Sequence, residues 1–171
     1  DCIDCGIGRY SAASSDAADD CLDCGLGRYS GTTPIAESDC VDCAAGKYID
    51  VTGSDHASDC IDCVAGTYVE AAGSDSSSDC IGCVAGRYST VLGSAAGANC
   101  IACTAGRYVV ASGSDDASDC AACVAGRYSS VSGSSSADDC IACVAGQYVD
   151  VTGSDEASDC IDCVAGRYST V

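Results

Sequence analysis

Eighteen cysteines fall as nine C-x-x-C pairs that recur every nineteen or twenty residues, from Cys2/Cys5 through Cys21/Cys24 and Cys40/Cys43 to Cys160/Cys163. A period this short means that one small supersecondary unit is copied end to end, so the chain reads as a tandem array and not as a globule around one cleft. One continuous array covers 1–171, with repeats starting near residues 2, 21, 40, 60, 80, 100, 120, 140 and 160 and the last one cut short. The chain opens inside a motif at Asp1 and stops partway through another at Val171, with no initiator Met and no signal-peptide pattern, so it is expected to be a segment of a longer secreted array.

Little is available to build a conventional core. There is no Phe, Trp or Met, and each repeat carries a single Tyr. Cysteine exceeds a tenth of the 171 residues, the level that marks a disulfide scaffold. Burying one Tyr and two or three Ile or Val side chains returns only a fraction of the entropy lost on ordering twenty residues, so an isolated repeat is expected to be unfolded. A bridge closing a loop of about 16 residues contributes ~3 kcal/mol by restricting the unfolded chain, and stacking on neighbours must supply the rest.

Aligned, the copies read D-C-[ILVA]-x-C-x-[AIL]-G-x-Y, then about five mixed residues, then G-S-x-x-x-S and the next Asp-Cys. Gly8, Gly27, Gly46, Gly66, Gly86, Gly106, Gly126, Gly146 and Gly166 stand three residues after the second Cys, where a positive φ or a close backbone approach excludes a Cβ. Two residues on come Tyr10, Tyr29, Tyr48, Tyr68, Tyr88, Tyr108, Tyr128, Tyr148 and Tyr168, the expected elements of repeat stacking, each opening a β-compatible stretch such as Tyr88-Ser89-Thr90-Val91-Leu92. Gly-Ser pairs, from Gly53-Ser54 to Gly153-Ser154, end that stretch and start a polar turn. The first two repeats lack this pair and hold the only proline, Pro34. No apolar 3.6-residue period is present, so short strands and turns are expected.

The formal charge is −19, and all seven basic residues occupy one repeat position, between the Gly and the Tyr. That distribution excludes a basic patch for nucleic acid or an anionic membrane, and no apolar run approaches a membrane span. Acidic charge spread along an array repels itself and favours an extended, soluble chain. The residue before the first Cys of a pair is Asp in eight repeats, with Asn99 as the substitute. An Arg-to-Asp contact once per repeat, as between Arg107 and Asp119, is the specific expectation, and solvated charge is the plain alternative.

Paired C-x-x-C motifs fifteen or sixteen residues apart also match a structural zinc ribbon. Zinc takes cysteines four at a time, so linkers within and between sites should differ; from the third repeat on they are alike. A redox-active pair needs a helix N-terminus in a βαβ setting that this sequence lacks. Disulfides are therefore the preferred reading. Spacing leaves their connectivity open: bridging within each C-x-x-C would leave repeats uncoupled, whereas bridging the second Cys of one pair to the first of the next would close every loop containing the Gly-x-Tyr segment.

The run C-V-A-G-R-Y-S followed by Gly and the next C-x-x-C, as in Cys83 to Cys103, resembles the ephrin-receptor-like cysteine-rich repeat, itself similar to the first half-module of tumour-necrosis-factor-receptor repeats. The resemblance covers essentially the whole chain. It implies a small β-hairpin at the Gly and Tyr, and forward pairing of each second Cys: Cys5 with Cys21, Cys24 with Cys40, Cys43 with Cys60, Cys63 with Cys80, Cys83 with Cys100, Cys103 with Cys120, Cys123 with Cys140 and Cys143 with Cys160. Cys2 and Cys163 are then left to pair outside the segment. The family's frequent Pro after the second Cys is replaced here, as at Gly6, Ala44, Val84 and Thr104. Long uninterrupted arrays of this type resemble protist surface and flagellar-hair (mastigoneme-like) proteins. The expected fold class is small disulfide-rich β: an elongated tandem-repeat rod of short β-hairpins with a ladder of inter-pair disulfides.

Chemistry is sparse. The only histidine, His56, sits at a turn position held elsewhere by Ser76, Ala96, Asp116, Ser136 or Glu156, and no nucleophile triad is expected around it. The acidic turns, such as Asp115-Asp116 and Asp155-Glu156, match no calcium-loop pattern, so solvated charge is preferred to weak calcium binding. There is no N-x-[ST] acceptor for N-glycosylation, while the Ser-rich turns are compatible with O-linked sugars. The expectation is an extracellular structural protein, neither enzyme nor cofactor binder, that self-associates into the shaft of a filament, stalk or flagellar hair, with glycans or another fibre protein as partners. A receptor or adhesion ectodomain is the alternative, and a structural zinc-binding repeat protein the third.

Overall fold

A computed structural model describes residues 4–11, 17–34 and 36–169. Among these there is no α-helix; the regular structure consists of two- and three-residue strands and single 3-10 turns. The chain divides into two compact units, Asp1–Ile81 with Val91–Asn99, and Gly82–Thr90 with Cys100–Val171.

In the first unit, β1 (Arg9–Ser11) pairs with β2 (Cys21–Asp23), β3 (Arg28–Tyr29) with β4 (Val41–Asp42), and β5 (Lys47–Tyr48) with β6 (Ile61–Asp62), all antiparallel. β7 (Thr67–Tyr68) follows, and β8 (Ile81–Gly82) spans the point of division. In the second unit, β9 (Arg87–Tyr88) pairs with β10 (Ile101–Ala102), β11 (Arg107–Tyr108) with β12 (Ala121–Ala122), β13 (Arg127–Tyr128) with β14 (Ile141–Ala142), and β15 (Gln147–Tyr148) with β16 (Ile161–Asp162). Each pair joins the Gly-x-Tyr segment of one repeat to the middle of the next C-x-x-C. The strands end at Tyr in all but the first pair, so stretches such as Tyr88 to Leu92 do not continue as strands. Beyond Tyr the backbone leaves its partner and turns to meet the following repeat.

Directly before each first cysteine from Cys21 onward the chain makes a 3-10 turn, for example Ala57–Asp59 or Ala117–Asp119. The Asp closing the turn folds back on it: Asp59 Oδ2 accepts from the amides of Asp55 and His56, and Asp119 Oδ2 from those of Asp115 and Asp116. A short polar side chain satisfying otherwise orphaned amides is what favours Asp here. His56 is one of several residues that cap such a turn, its Nδ1 accepting from the amide of Ser58.

The core of each unit is a string of small clusters around sulfur. Cys43, Ile49 and Cys60 form one in the first unit, with Tyr29 packed against it; Cys103, Val109 and Cys120 with Tyr88, and Cys143, Val149 and Cys160 with Tyr128, form two in the second.

Candidate functional site at the junction between repeats

Eight disulfides close in unbroken succession: Cys5–Cys21, Cys24–Cys40, Cys43–Cys60, Cys63–Cys80, Cys83–Cys100, Cys103–Cys120, Cys123–Cys140 and Cys143–Cys160. Their Cα–Cα separations, 5.6 to 5.8 Å, are ordinary for the bond. Each links neighbouring repeats, and from Cys21/Cys24 to Cys120/Cys123 the second cysteine of a C-x-x-C pair is the more deeply buried, with Cys24, Cys43, Cys63 and Cys123 wholly inaccessible. Cys163 is unbridged and partly exposed, and Cys2 lies outside the described residues.

Four backbone hydrogen bonds accompany the rungs Cys24–Cys40 and Cys43–Cys60 in the first unit and Cys83–Cys100, Cys103–Cys120 and Cys123–Cys140 in the second. Between the repeats beginning at Cys21 and Cys40, Gly27 N donates to Ile49 O (2.9 Å), Ser30 N to Ser54 O (3.1 Å), Cys43 N to Gly27 O (2.8 Å) and Gly53 N to Cys24 O (2.9 Å). In the second unit, between the repeats at Cys100 and Cys120, the set recurs as Gly106 to Ser129 (2.7 Å), Val109 to Ser134 (3.1 Å), Cys123 to Gly106 (2.8 Å) and Gly133 to Cys103 (2.8 Å). The first junction differs: without a Gly-Ser pair in the second repeat, Ser11 extends the ladder by pairing with Cys21.

The glycine of C-x-[AIL]-G does more than turn the chain. Gly27 has a φ of 76° and Gly106 one of 77°, in the left-handed region. A Cβ on Gly27 would collide with the carbonyl of Gly73, and one on Gly106 with that of Gly153. Both contacts reach past the neighbour to the repeat after it. The unit of packing within each compact body is thus three consecutive repeats.

The basic residues do not meet the Asp before the cysteine. That Asp is taken by its own 3-10 turn, and the strand register instead sets the basic side chain opposite the residue just before the second cysteine. Where this residue is Asp, an ion pair forms: Arg9 Nε–Asp23 Oδ1 (2.8 Å), Arg28 Nε–Asp42 Oδ1 (2.6 Å) and Lys47 Nζ–Asp62 Oδ1 (2.6 Å). Where it is Ala, the guanidinium turns to the first cysteine's carbonyl: Arg87 to Cys100 O, Arg107 to Cys120 O and Arg127 to Cys140 O, at 2.7 to 2.9 Å. The expected Arg107–Asp119 contact is corrected accordingly.

Of the tyrosines, Tyr10, Tyr29, Tyr48, Tyr68, Tyr88, Tyr108 and Tyr128 are half-buried, whereas Tyr148 and Tyr168 are exposed. Beside the cysteines, the residue after Tyr is deeply buried, which sequence reasoning passed over: Ile49, Val69, Val109 and Val149, or Ser30, Ser89 and Ser129, each 5% exposed or less. A signal was present, since this position holds only Ser, Ile or Val in all nine repeats. Where it is Ser, the hydroxyl finds a partner, as Ser30 Oγ does in the carbonyl of Thr32 and Ser129 Oγ in Ser134 Oγ.

Asp116 accepts hydrogen bonds from the amide and hydroxyl of Ser118, which hold its carboxyl below the ordinary value. Among the described residues no group of three or more His, Cys, Asp and Glu is arranged to hold a metal ion, and no helix is long and apolar enough to cross a membrane. The sequence matches no family model and no curated protein. Consecutive structural disulfides belong to an oxidising, non-cytosolic compartment, and stapled repeats of this kind fit an extracellular structural protein or ectodomain.

Proposed function

We propose that the chain forms part of the shaft of an extracellular filament, stalk or flagellar hair. The observation that supports this most directly is the repetition of one junction, sulfur rung and four backbone bonds together, within each compact unit. Because most of its hydrogen bonds run between backbone groups, the junction tolerates side-chain drift, and a repeat can be added without redesigning its neighbour. Each rung is covalent and each loop is closed, so load along the chain passes through sulfur and not through a thin apolar core. No catalysis is part of this reading, in which His56 and the aspartates before the first cysteines, such as Asp59 and Asp119, serve to cap turns.

Kinship with the ephrin-receptor-like repeats is part of the proposal, supported by the forward order of the bridges and by the Gly-x-Tyr hairpin. Negative-stain microscopy of native material tests the function. Filaments or stalks that an antibody to this chain decorates along their length are expected; dispersed monomers alone would refute a shaft.

A further inference from the structure

We propose that the repeat beginning at Cys60 docks a basic side chain, Arg or Lys, of a partner protein. A groove of about 750 Å³ opens here, within the first unit. Tyr68, Ala71 and Ile81 give it apolar walls, and Glu70, Asp75 and Asp79 line it with carboxylates. Two of the three acids are held in place by backbone amides: Glu70 Oε1 accepts from Gly97 N at 3.2 Å, and Asp79 Oδ2 from Asp75 N at 3.2 Å. Each keeps a second oxygen to offer. An aromatic ring beside preorganised carboxylates suits a guanidinium or ammonium group carried on an aliphatic stem.

Charge identifies the occupant as foreign. This repeat carries Thr67 where most others carry Arg or Lys, and Thr67 Oγ1 donates within its own turn, to Val64 O. A second copy of the chain is poorly suited to supply the cation, because six of the seven basic side chains are already held by Asp or by backbone carbonyls. With a net charge of −19, copies also repel one another while drawing in a basic partner. The repeat beginning at Cys100 provides an internal contrast: its groove, about 430 Å³, has Tyr108, Asp115 and Asp119 but Val110 in the place of Glu70.

The test uses the intact, oxidised 171-residue chain labelled with ¹⁵N, titrated with the peptide acetyl-Gly-Arg-Gly-amide, with its citrulline analogue and with magnesium chloride as controls. Saturable shifts of amide signals between residues 68 and 81 are expected with the arginine peptide alone. Glu70→Gln, whose side-chain oxygen still accepts from Gly97, should weaken binding about threefold or more, and Val110→Glu should bring the same response to residues 108–121. Shifts spread evenly over the acidic turns of all repeats, an equal response to citrulline or magnesium, or indifference to both substitutions would overturn the proposal.

Discussion

The two units solve the same junction with different side chains. In the first, Arg9, Arg28 and Lys47 each face an Asp across the strand pair; in the second, Arg87, Arg107 and Arg127 face Ala and donate to a cysteine carbonyl. The core residue varies within both units, from Ser30 to Ile49 and Val69 in the first and through Ser89, Val109, Ser129 and Val149 in the second. What does not change is the bridge and the backbone bonds around it. The comparison teaches that the fold is carried by sulfur geometry and by glycine-permitted backbone contact, with ionic and apolar side chains adjusting to them.

That lesson is open to attack at both ends of the energy scale. The largest effect should come from removing a rung. Replacing both cysteines of Cys24–Cys40 or of Cys103–Cys120 with Ser is expected to cost about 2–5 kcal/mol in either unit. Hydrogen exchange at the flanking Gly27 or Gly106 amides would register it, and protection surviving in one unit only would break the equivalence. Next come the glycines. Gly27→Ala and Gly106→Ala should each lose about 2–4 kcal/mol, combining left-handed backbone strain with a clash against a carbonyl two repeats on. Gly146→Ala, where no atom lies within 4 Å of the new methyl, should pay the strain alone. Thermal unfolding of the three variants separates the two causes, and equal losses would deny that next-but-one repeats support one another.

Smaller effects sharpen the contrast between the units. Ile49→Ala should cost about 2–3 kcal/mol, because its side chain is wholly buried against the Cys43–Cys60 rung, whereas Ser89→Ala should change stability by about 1 kcal/mol or less. Arg28→Gln, at a half-exposed ion pair, is expected to cost ~0–1 kcal/mol and to lose that effect in high salt. Arg107→Gln, whose partner is a neutral carbonyl, should be less sensitive to salt. Denaturant midpoints at low and high ionic strength compare them directly. The smallest signal is the pH dependence of Asp116. Its folded pKa lies below the ordinary 3.8, so its contribution is present above that value and fades as pH falls through the lowered one. A carboxyl ¹³C titration placing Asp116 at or above 3.8 would remove the Ser118 cap as the cause.

Much of this architecture was legible in the residues. The period, the thin core and the left-handed glycines follow from small invariant elements, whereas spacing leaves the order of the bridges open and the forward ladder is only what the family resemblance implies. The partners of the basic residues were not legible for a physical reason. Asp119 is the acid that the repeat pattern draws attention to, yet a short carboxylate next to a tight turn is captured locally before a long side chain can reach it. The true partner position is set by the register of a strand pair only two residues long, which is fixed by a bridge between cysteines sixteen or seventeen residues apart. The buried residue after Tyr was overlooked because Ser occupies it in several repeats, and a small hydroxyl residue reads as surface until its hydrogen bond is seen. Contact between next-but-one repeats leaves no mark in the sequence beyond two glycines that each already have a turn to explain them.

Digestion with trypsin tests the central claim most directly, because six of the seven Lys and Arg residues lie between one cysteine pair and the next and the seventh, Arg167, follows the last pair. The chain is denatured without reductant, its free thiols are blocked, and it is then cleaved to completion and weighed. If each second cysteine is bonded to the first cysteine of the following repeat, all cysteine-containing fragments remain one covalent assembly, and only the tail from Tyr168 is released until reductant is added. Fragments that separate without reductant, whether closed on themselves within each C-x-x-C or carrying blocked thiols, would contradict the account.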